Sequence, residues 1–191
     1  MFDALISMIP PTALRRSSYR KGETVFWQND PTRGIFCVES GQINLQRAMQ
    51  SGHVVTLHRA TAGTLFAEAS LYSDRYHCDA VCIEPASVIC IEKQEFTRRL
   101  AKDPDLSLAY GKLLATQVQT YRQTLEILSI RSARDRTFVA VSCGYLSGPV
   151  TEFASRIGLT QEACYRALRQ LCDTGKLIQT GRGKYAVPEP E

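Results

Sequence analysis

No Cys-x-x-Cys occurs in this chain, although it carries seven cysteines: Cys37, Cys78, Cys82, Cys90, Cys143, Cys164 and Cys172. Their scatter and odd number exclude a zinc ribbon or a thioredoxin-like pair and read as free thiols in small apolar positions, Cys164 most clearly. A long apolar run is missing too. The opening MFDALISMIPPTALRR carries Asp3 and is broken by Pro10 and Pro11, so neither a signal peptide nor a membrane span is expected, and a cytoplasmic location is. No internal repeat or low-complexity tract is visible. No paired carboxylates, nucleophile–base signature or metal-ligand spacing stands out, which argues against an enzyme and gives no metal site. Charge excess is slight, a net +4, but uneven. Residues 131–191 hold nine Lys/Arg against six Asp/Glu, whereas residues 1–130 are nearly balanced, so the basic excess lies in the C-terminal third. A phosphate-binding surface there would look like this.

The stretch from Val150 to Ile178, VTEFASRIGLTQEACYRALRQLCDTGKLI, is what the chain does have. Thr151 is placed to cap a first helix whose buried face is Phe153, Ala154 and Ile157. Gly158 supplies a left-handed residue to end it. Thr160 can cap a second helix, with Glu162 in its first turn. Cys164, Ala167, Leu168 and Leu171 recur at helical spacing and face inward. The opposite face carries Gln161, Glu162, Tyr165, Arg166 and Arg169, side chains with the donors and acceptors that base edges and phosphates need. The pattern is a helix-turn-helix. Downstream, LIQTGRGKYAV places two β-prone runs around Gly181, Arg182 and Gly183, which predicts a hairpin wing.

From Phe153 to Leu177 the residues Ala154, Ile157, Gly158, Thr160, Glu162, Arg166, Leu168, Leu171, Gly175 and Leu177 fall without a gap on the helix-turn-helix pattern of the Crp/Fnr transcription regulators. The resemblance extends upstream. From Tyr19 to about Ile91 short β-prone runs (Thr24 to Trp27, Ile35 to Val38, Ile43 to Leu45, Val54 to Leu57) are punctuated by Gly22, Gly34, Gly41, Gly52 and Gly63, as in an antiparallel barrel or sandwich. KGETVFWQNDP, from Lys21 to Pro31, is similar to the opening hairpin of that family's cyclic-nucleotide-binding β-roll, with Asn29 where glycine is usual; asparagine tolerates a left-handed conformation. FCVESGQINL, from Phe36 to Leu45, resembles the next strand pair.

The ligand cassette departs from the family. In nucleotide-binding members a segment like F-G-E-L-A-L precedes R-[ST]-A; its arginine and backbone amides hold the cyclic phosphate, and its glutamate accepts from the ribose hydroxyl. Here the segment is FAEASLYSDRYHCDAV, from Phe66 to Val81. Glu68 matches the ribose glutamate, Ala67 replaces the glycine, and Cys78, with His77 beside it and Asp79 after it, falls where the phosphate arginine is expected. A thiol lacks the fixed cation of an arginine. Arg75 is a candidate to compensate. The effector therefore stays open: a cyclic nucleotide is one option, though not in the usual mode, and no iron–sulfur cluster is expected, since no cysteine precedes Cys37. His53, His58, His77 and Cys78 are haem-ligand candidates by type only, and Cys78 with Cys82 a candidate redox pair.

After Pro104, DLSLAYGKLLATQVQTYRQTLEILSI reads as one long helix. Leu114, Val118, Tyr121, Leu125 and Leu128 step by four, three, four and three residues, an a/d seam for a second copy of the chain. Tyr110, Leu113 and Ile127 give a second stripe expected to face the β-roll. Tyr121 and Arg122 align with family positions that close over the nucleotide base, and are bulkier than the residues usual there. Ser132 can cap a new helix through about Val141, beyond a hinge near Arg131.

The expected fold is α+β: an N-terminal antiparallel β-roll (a double-stranded β-helix) over 1–103, a long dimerisation helix and hinge over 104–131, and a C-terminal winged helix-turn-helix over 132–191. Thr151, Thr160, Gln161, Glu162, Tyr165, Arg166, Arg169, Arg182 and Lys184 are the DNA-contacting candidates. Phe66, Ala67, Glu68, Arg75, His77, Cys78, Tyr121 and Arg122 are those of the effector pocket. The resemblance implies a homodimeric transcription regulator whose partners are double-stranded DNA with an inverted-repeat operator and RNA polymerase, and no membrane. A regulatory module acting through protein partners is the alternative.

Overall fold

The computed structural model describes residues 2–49 and 54–188; Gly52 and His53 lie outside the described residues. The chain divides into two compact units, residues 1–113 and 114–191. In the first, α1 (Phe2–Ser7) precedes β1 (Leu14–Tyr19), β2 (Thr24–Phe26), β3 (Gly34–Ala48), β4 (Val54–Thr61), β5 (Leu65–Phe66), β6 (Asp79–Glu92) and α2 (Lys93–Leu100). One six-stranded sheet runs β1-β6-β3-β4, with β2 also on β6 and β5 also on β3. Every pairing is antiparallel. α3 (Pro104–Ser129) begins in this unit and continues into the second, which adds α4 (Ala133–Ser142), α5 (Val150–Arg156), α6 (Gln161–Asp173), β7 (Ile178–Gly181) and β8 (Lys184–Ala186). The α+β class and its parts, antiparallel roll, long helix and winged helix-turn-helix, are those the sequence indicated.

An aromatic stack fills the roll. Phe26 lies 3.7 Å from Tyr76 between ring centroids, and Phe36 lies 5.2 Å from Phe66. Tyr76 keeps its polar end satisfied while buried: its hydroxyl donates to the Gly34 carbonyl and accepts from the Arg33 and Gly34 amides. Ile43, Leu45, Ala60, Cys78, Ala80 and Cys82 complete this core.

Several sequence expectations need correction. Strand structure starts before Tyr19: β1 pairs with β6 from Leu14↔Ile91 to Tyr19↔Ala86. Its inner residues Arg15, Arg16, Ser17 and Ser18 are all exposed, so no apolar alternation announces it. Lys21 to Pro31 is not a self-paired hairpin, because β2 pairs with β6. Gly41 does not separate two strands. It sits inside β3 at φ +80°, where the register against β6 shifts between Ser40 and Gln42. A Cβ there would lie 2.3 Å from the Pro85 carbonyl oxygen, so glycine permits a bulge and a close backbone approach. α2 carries Phe96, fully buried and edge-on to Tyr110 at 5.2 Å.

In the second unit Ile127, Ala140, Val141, Val150, Phe153, Ala154, Ile157, Cys164, Leu168, Leu171 and Leu177 form one core. Ile127 therefore does not share a β-roll-facing stripe with Tyr110. It anchors the end of α3 in the helix-turn-helix core. Ser132 caps α4 as expected, accepting from the Asp135 amide at 3.3 Å.

Candidate nucleic-acid interface and effector site

α5 begins two residues earlier than expected. Pro149 holds the N-cap position at φ −62°, ψ 140°, and Val150 opens the helix. Proline supplies the extended turn-in without a side-chain cap, so Thr151 lies exposed inside the first turn and does not cap the helix. Phe153, Ala154 and Ile157 are fully buried. Gly158 is left-handed at φ +63°. Its amide donates to the Ser155 carbonyl at 3.2 Å and the Leu159 amide to the Ala154 carbonyl at 2.9 Å, the paired closure of a Schellman motif. The turn then enters α6 through Thr160, whose hydroxyl accepts from the Ala163 amide at 3.2 Å.

α6 is divided cleanly by face. Cys164, Ala167, Leu168 and Leu171 are buried. Burial pushes the Cys164 thiol up to about 11, so it is an inert apolar filler. Gln161, Glu162, Tyr165, Arg166 and Arg169 are all exposed. β7 and β8 pair from Ile178↔Ala186 to Gly181↔Lys184, and Gly183 turns the hairpin at φ +71°. Arg182 and Lys184 are exposed on it. Arg156 and Arg136, which the sequence reading passed over, brace this unit by donating to the Tyr145 and Ile157 carbonyls.

The effector candidates in the first unit run from the end of β5 to the residue before β6. Phe66 is fully buried in the aromatic stack. Ala67 is left-handed, φ 63° and ψ 14°, a conformation costly for a residue with a Cβ. Burial holds the Glu68 carboxyl above the ordinary carboxylate range, and its Oε2 is buried with no hydrogen-bond partner. Cys78 is buried; burial raises its thiol pKa, the Arg47 guanidinium lowers it, and Asp79 and Glu68 raise it. His77 and Arg75 are exposed, and Arg75 is directed elsewhere, donating from Nη1 to the Asn29 carbonyl at 2.6 Å. Arg47 was not among the sequence candidates. It lies two and four residues past Leu45 and Ile43, the inward positions of β3, and that alternation was the signal available for it. His58 is half-buried, with its pKa lowered by desolvation. Cys82 is buried as well. Among the described residues no group of three or more His, Cys, Asp or Glu could hold a metal ion, and no helix is long and apolar enough to cross a membrane.

Comparison with known proteins accords with both halves. The cyclic nucleotide-binding domain family matches residues 16–103. The cyclic AMP receptor protein of Thermus thermophilus is 26% identical over 183 residues, covering 92% of this chain and 84% of the relative. The crystal structure of the Thermus thermophilus catabolite activator protein superposes with a TM-score of 0.54 at 25% identity, over 97% of this chain and 88% of that one. FixK2 of Bradyrhizobium japonicum shares the fold, with a TM-score of 0.69 at 19% identity over 92% and 93% of the two chains. Over most of its length the chain is similar to transcription regulators of the Crp/Fnr type. Its homologues are transcription regulators of that type.

Asn29 and Ala67, which stand where the resembled family has glycine, both keep a glycine-like backbone, with φ 71° and φ 63°. The substitutions have changed the side chain and kept the turn. On α3, in the second unit, Val118, Tyr121, Leu125 and Leu128 are 46%, 41%, 67% and 38% exposed, an apolar stripe uncovered on the single chain. Leu114 is half-buried and Arg122 exposed on the same helix.

Proposed function

We propose that this protein is a homodimeric, sequence-specific DNA-binding transcription regulator. The observation that carries the reading is the two-faced α6. Four apolar residues lock it into the winged domain, and Gln161, Glu162, Tyr165, Arg166 and Arg169 stand clear on the other side. A helix of this kind fits the major groove, where Arg166 pairs with guanine and Glu162 accepts from the cytosine amino group. Gln161 and Tyr165 tune neighbouring positions. Arg169, Thr151, Thr160 and the wing residues Arg182 and Lys184 lie against phosphates and fix the register. The apolar stripe of α3 pairs with its copy in a second chain, so the operator is an inverted repeat. Bound there, the dimer acts on RNA polymerase.

The working division is a sensor over 1–103, a dimerisation helix and hinge over 104–131, and a DNA-binding domain over 132–191. The cyclic nucleotide-binding match supports a small anionic effector in the β-roll. Selection of bound fragments from random duplex DNA, followed by gel shift, tests the output. A two-fold symmetric consensus is expected, and failure to retain any duplex sequence over the random pool overturns the reading in favour of a module acting through protein partners.

A further inference from the structure

The ladder between β3 and β6 pairs Asn44 with Val81, Leu45 with Ala80 and Gln46 with Asp79. The ladder ends there; one further step of the same register would bring Arg47 opposite Cys78, and facing residues of an antiparallel pair lie roughly 5 Å apart. The side chain does reach that place: Arg47 Nη2 donates to the carbonyl of His77, the residue before Cys78, at 2.6 Å. The family's phosphate arginine is missing from position 78, yet a guanidinium arrives beside that position from the neighbouring strand.

Two atoms there are left without partners. Arg47 Nε is buried with no acceptor, and Glu68 Oε2 is buried with no donor. Native proteins rarely keep a buried donor or acceptor unpaired unless something else occupies the space beside it. The two groups bear opposite charge when ionised, and Ala67, the residue before Glu68, lies in the same core cluster as Cys78. Burial keeps the Cys78 thiol from ionising readily, so it supplies no fixed charge there.

We propose that Arg47 is the anion-holding residue of the β-roll. Its ligand is a small molecule with an anionic group for the Arg47 guanidinium and a hydroxyl that donates to Glu68. The cation comes from β3 instead of from position 78, just before β6, while the carboxyl stays in place, so the ligand meets its anion clamp from a different side than in relatives with the usual arginine. This inference rests on reading the β-roll as an effector module.

Isothermal titration of the full chain with 3′,5′-cyclic AMP, 3′,5′-cyclic GMP and glycerol 3-phosphate tests it. The last probe keeps a phosphate and hydroxyls but has no base. At least one probe is expected to bind the wild type at millimolar concentration or below. Arg47→Gln should weaken that probe roughly tenfold to a hundredfold, and Glu68→Gln about tenfold. Thermal melts check that the variants fold. If Arg47→Gln does not, Arg47→Lys keeps the charge without the planar fork and should weaken binding to a smaller extent. Absence of binding by all three probes overturns both this inference and the effector-module reading. Binding that Arg47→Gln (or Arg47→Lys, if only that variant folds) leaves intact, or that Arg75→Gln abolishes in its place, overturns the inference alone.

Discussion

Arg136 donates from Nη1 to the Ile157 carbonyl at 3.1 Å and so closes the C-terminal end of α5, while its Nε donates to the Ile130 carbonyl at 2.8 Å. One side chain thus ties the segment after α3 to the turn between the two helices of the DNA-binding motif. The carbonyls at a helix end have no partner within the helix, and a cation there also meets the negative end of its dipole. Arg136→Ala is expected to destabilise the second unit by about 1.5–3 kcal/mol, the range for hydrogen bonds to a charged group. Arg134→Ala, two residues away and exposed, should change stability by less than about 0.5 kcal/mol. Urea unfolding followed by far-UV circular dichroism separates the two, and equal effects would show that Arg136 braces nothing.

Gly41 offers a sharper steric test. Its φ of +80° strains any residue with a Cβ, and the Cβ would also meet the Pro85 carbonyl oxygen at 2.3 Å. Gly63 has the same φ of +80° with nothing within 4 Å. Gly63→Ala should therefore cost only the conformational part, about 1–2 kcal/mol. Gly41→Ala adds the clash and should cost on the order of 3 kcal/mol or more, or fail to fold. Similar midpoints for the two variants in denaturant would mean that β3 and β6 do not approach so closely.

How legible these features were depended on how local they are. The helix-turn-helix is written within 25 consecutive residues: Gly158, Thr160 and the Cys164–Leu171 spacing are each read against near neighbours, and the structure keeps all of them. The start of α5 lies two residues before the expected one because Pro149 does the work assigned to Thr151. The β-roll was harder, since its pairings join distant segments. β1 is polar and exposed between its half-buried ends Leu14 and Tyr19, and only its ladder to β6 identifies it as a strand. The approach of Arg47 to Cys78 is likewise a cross-strand fact that no linear motif contains, whereas the missing arginine was visible at once.

Glu68 makes stability depend on pH. Burial raises its pKa above the ordinary glutamate value of 4.5. The unfolded chain therefore ionises this carboxyl at lower pH than the folded chain does. Its contribution to stability is full below the unfolded pKa and is lost as pH rises through the folded one. Glu68→Gln cannot ionise and should escape that loss. The melting temperature of the variant relative to the wild type should rise over the pH interval above the ordinary glutamate value of 4.5. A difference that stays flat across this interval would show that the carboxyl ionises as freely in the fold as outside it.

On DNA, Arg166 and Arg182 should fail differently. A side chain bidentate to one base pair carries specificity, whereas one on a phosphate carries only affinity. Arg166→Ala is expected to relax preference at one position of each half-site, at a cost of about 1–3 kcal/mol on the preferred sequence. Arg182→Ala should weaken all sequences alike and reduce the salt slope by about 1. Binding measured across single-base operator variants and several salt concentrations reads both. If Arg166→Ala still ranked those variants as the wild type does, α6 would not be reading the groove through this residue.

Leu125 decides the quaternary half of the proposal. It is 67% exposed on the chain alone and lies in register with Leu114, Val118, Tyr121 and Leu128 along α3. An apolar seam stepping by four and three residues is stable when a second helix covers it. A glutamate at position 125 would place a carboxylate in that seam, and two-fold symmetry would set its copy on the facing helix. Unpaired like charges inside an apolar contact are expensive to desolvate, so Leu125→Glu should convert the dimer to a monomer in sedimentation velocity. Operator affinity should fall to that of a single half-site. Gln123→Glu adds the same charge at an exposed position off the seam and should leave the dimer intact. A Leu125→Glu protein that still sediments as a dimer would place the contact between copies elsewhere, and with it the spacing of the two α6 helices on DNA.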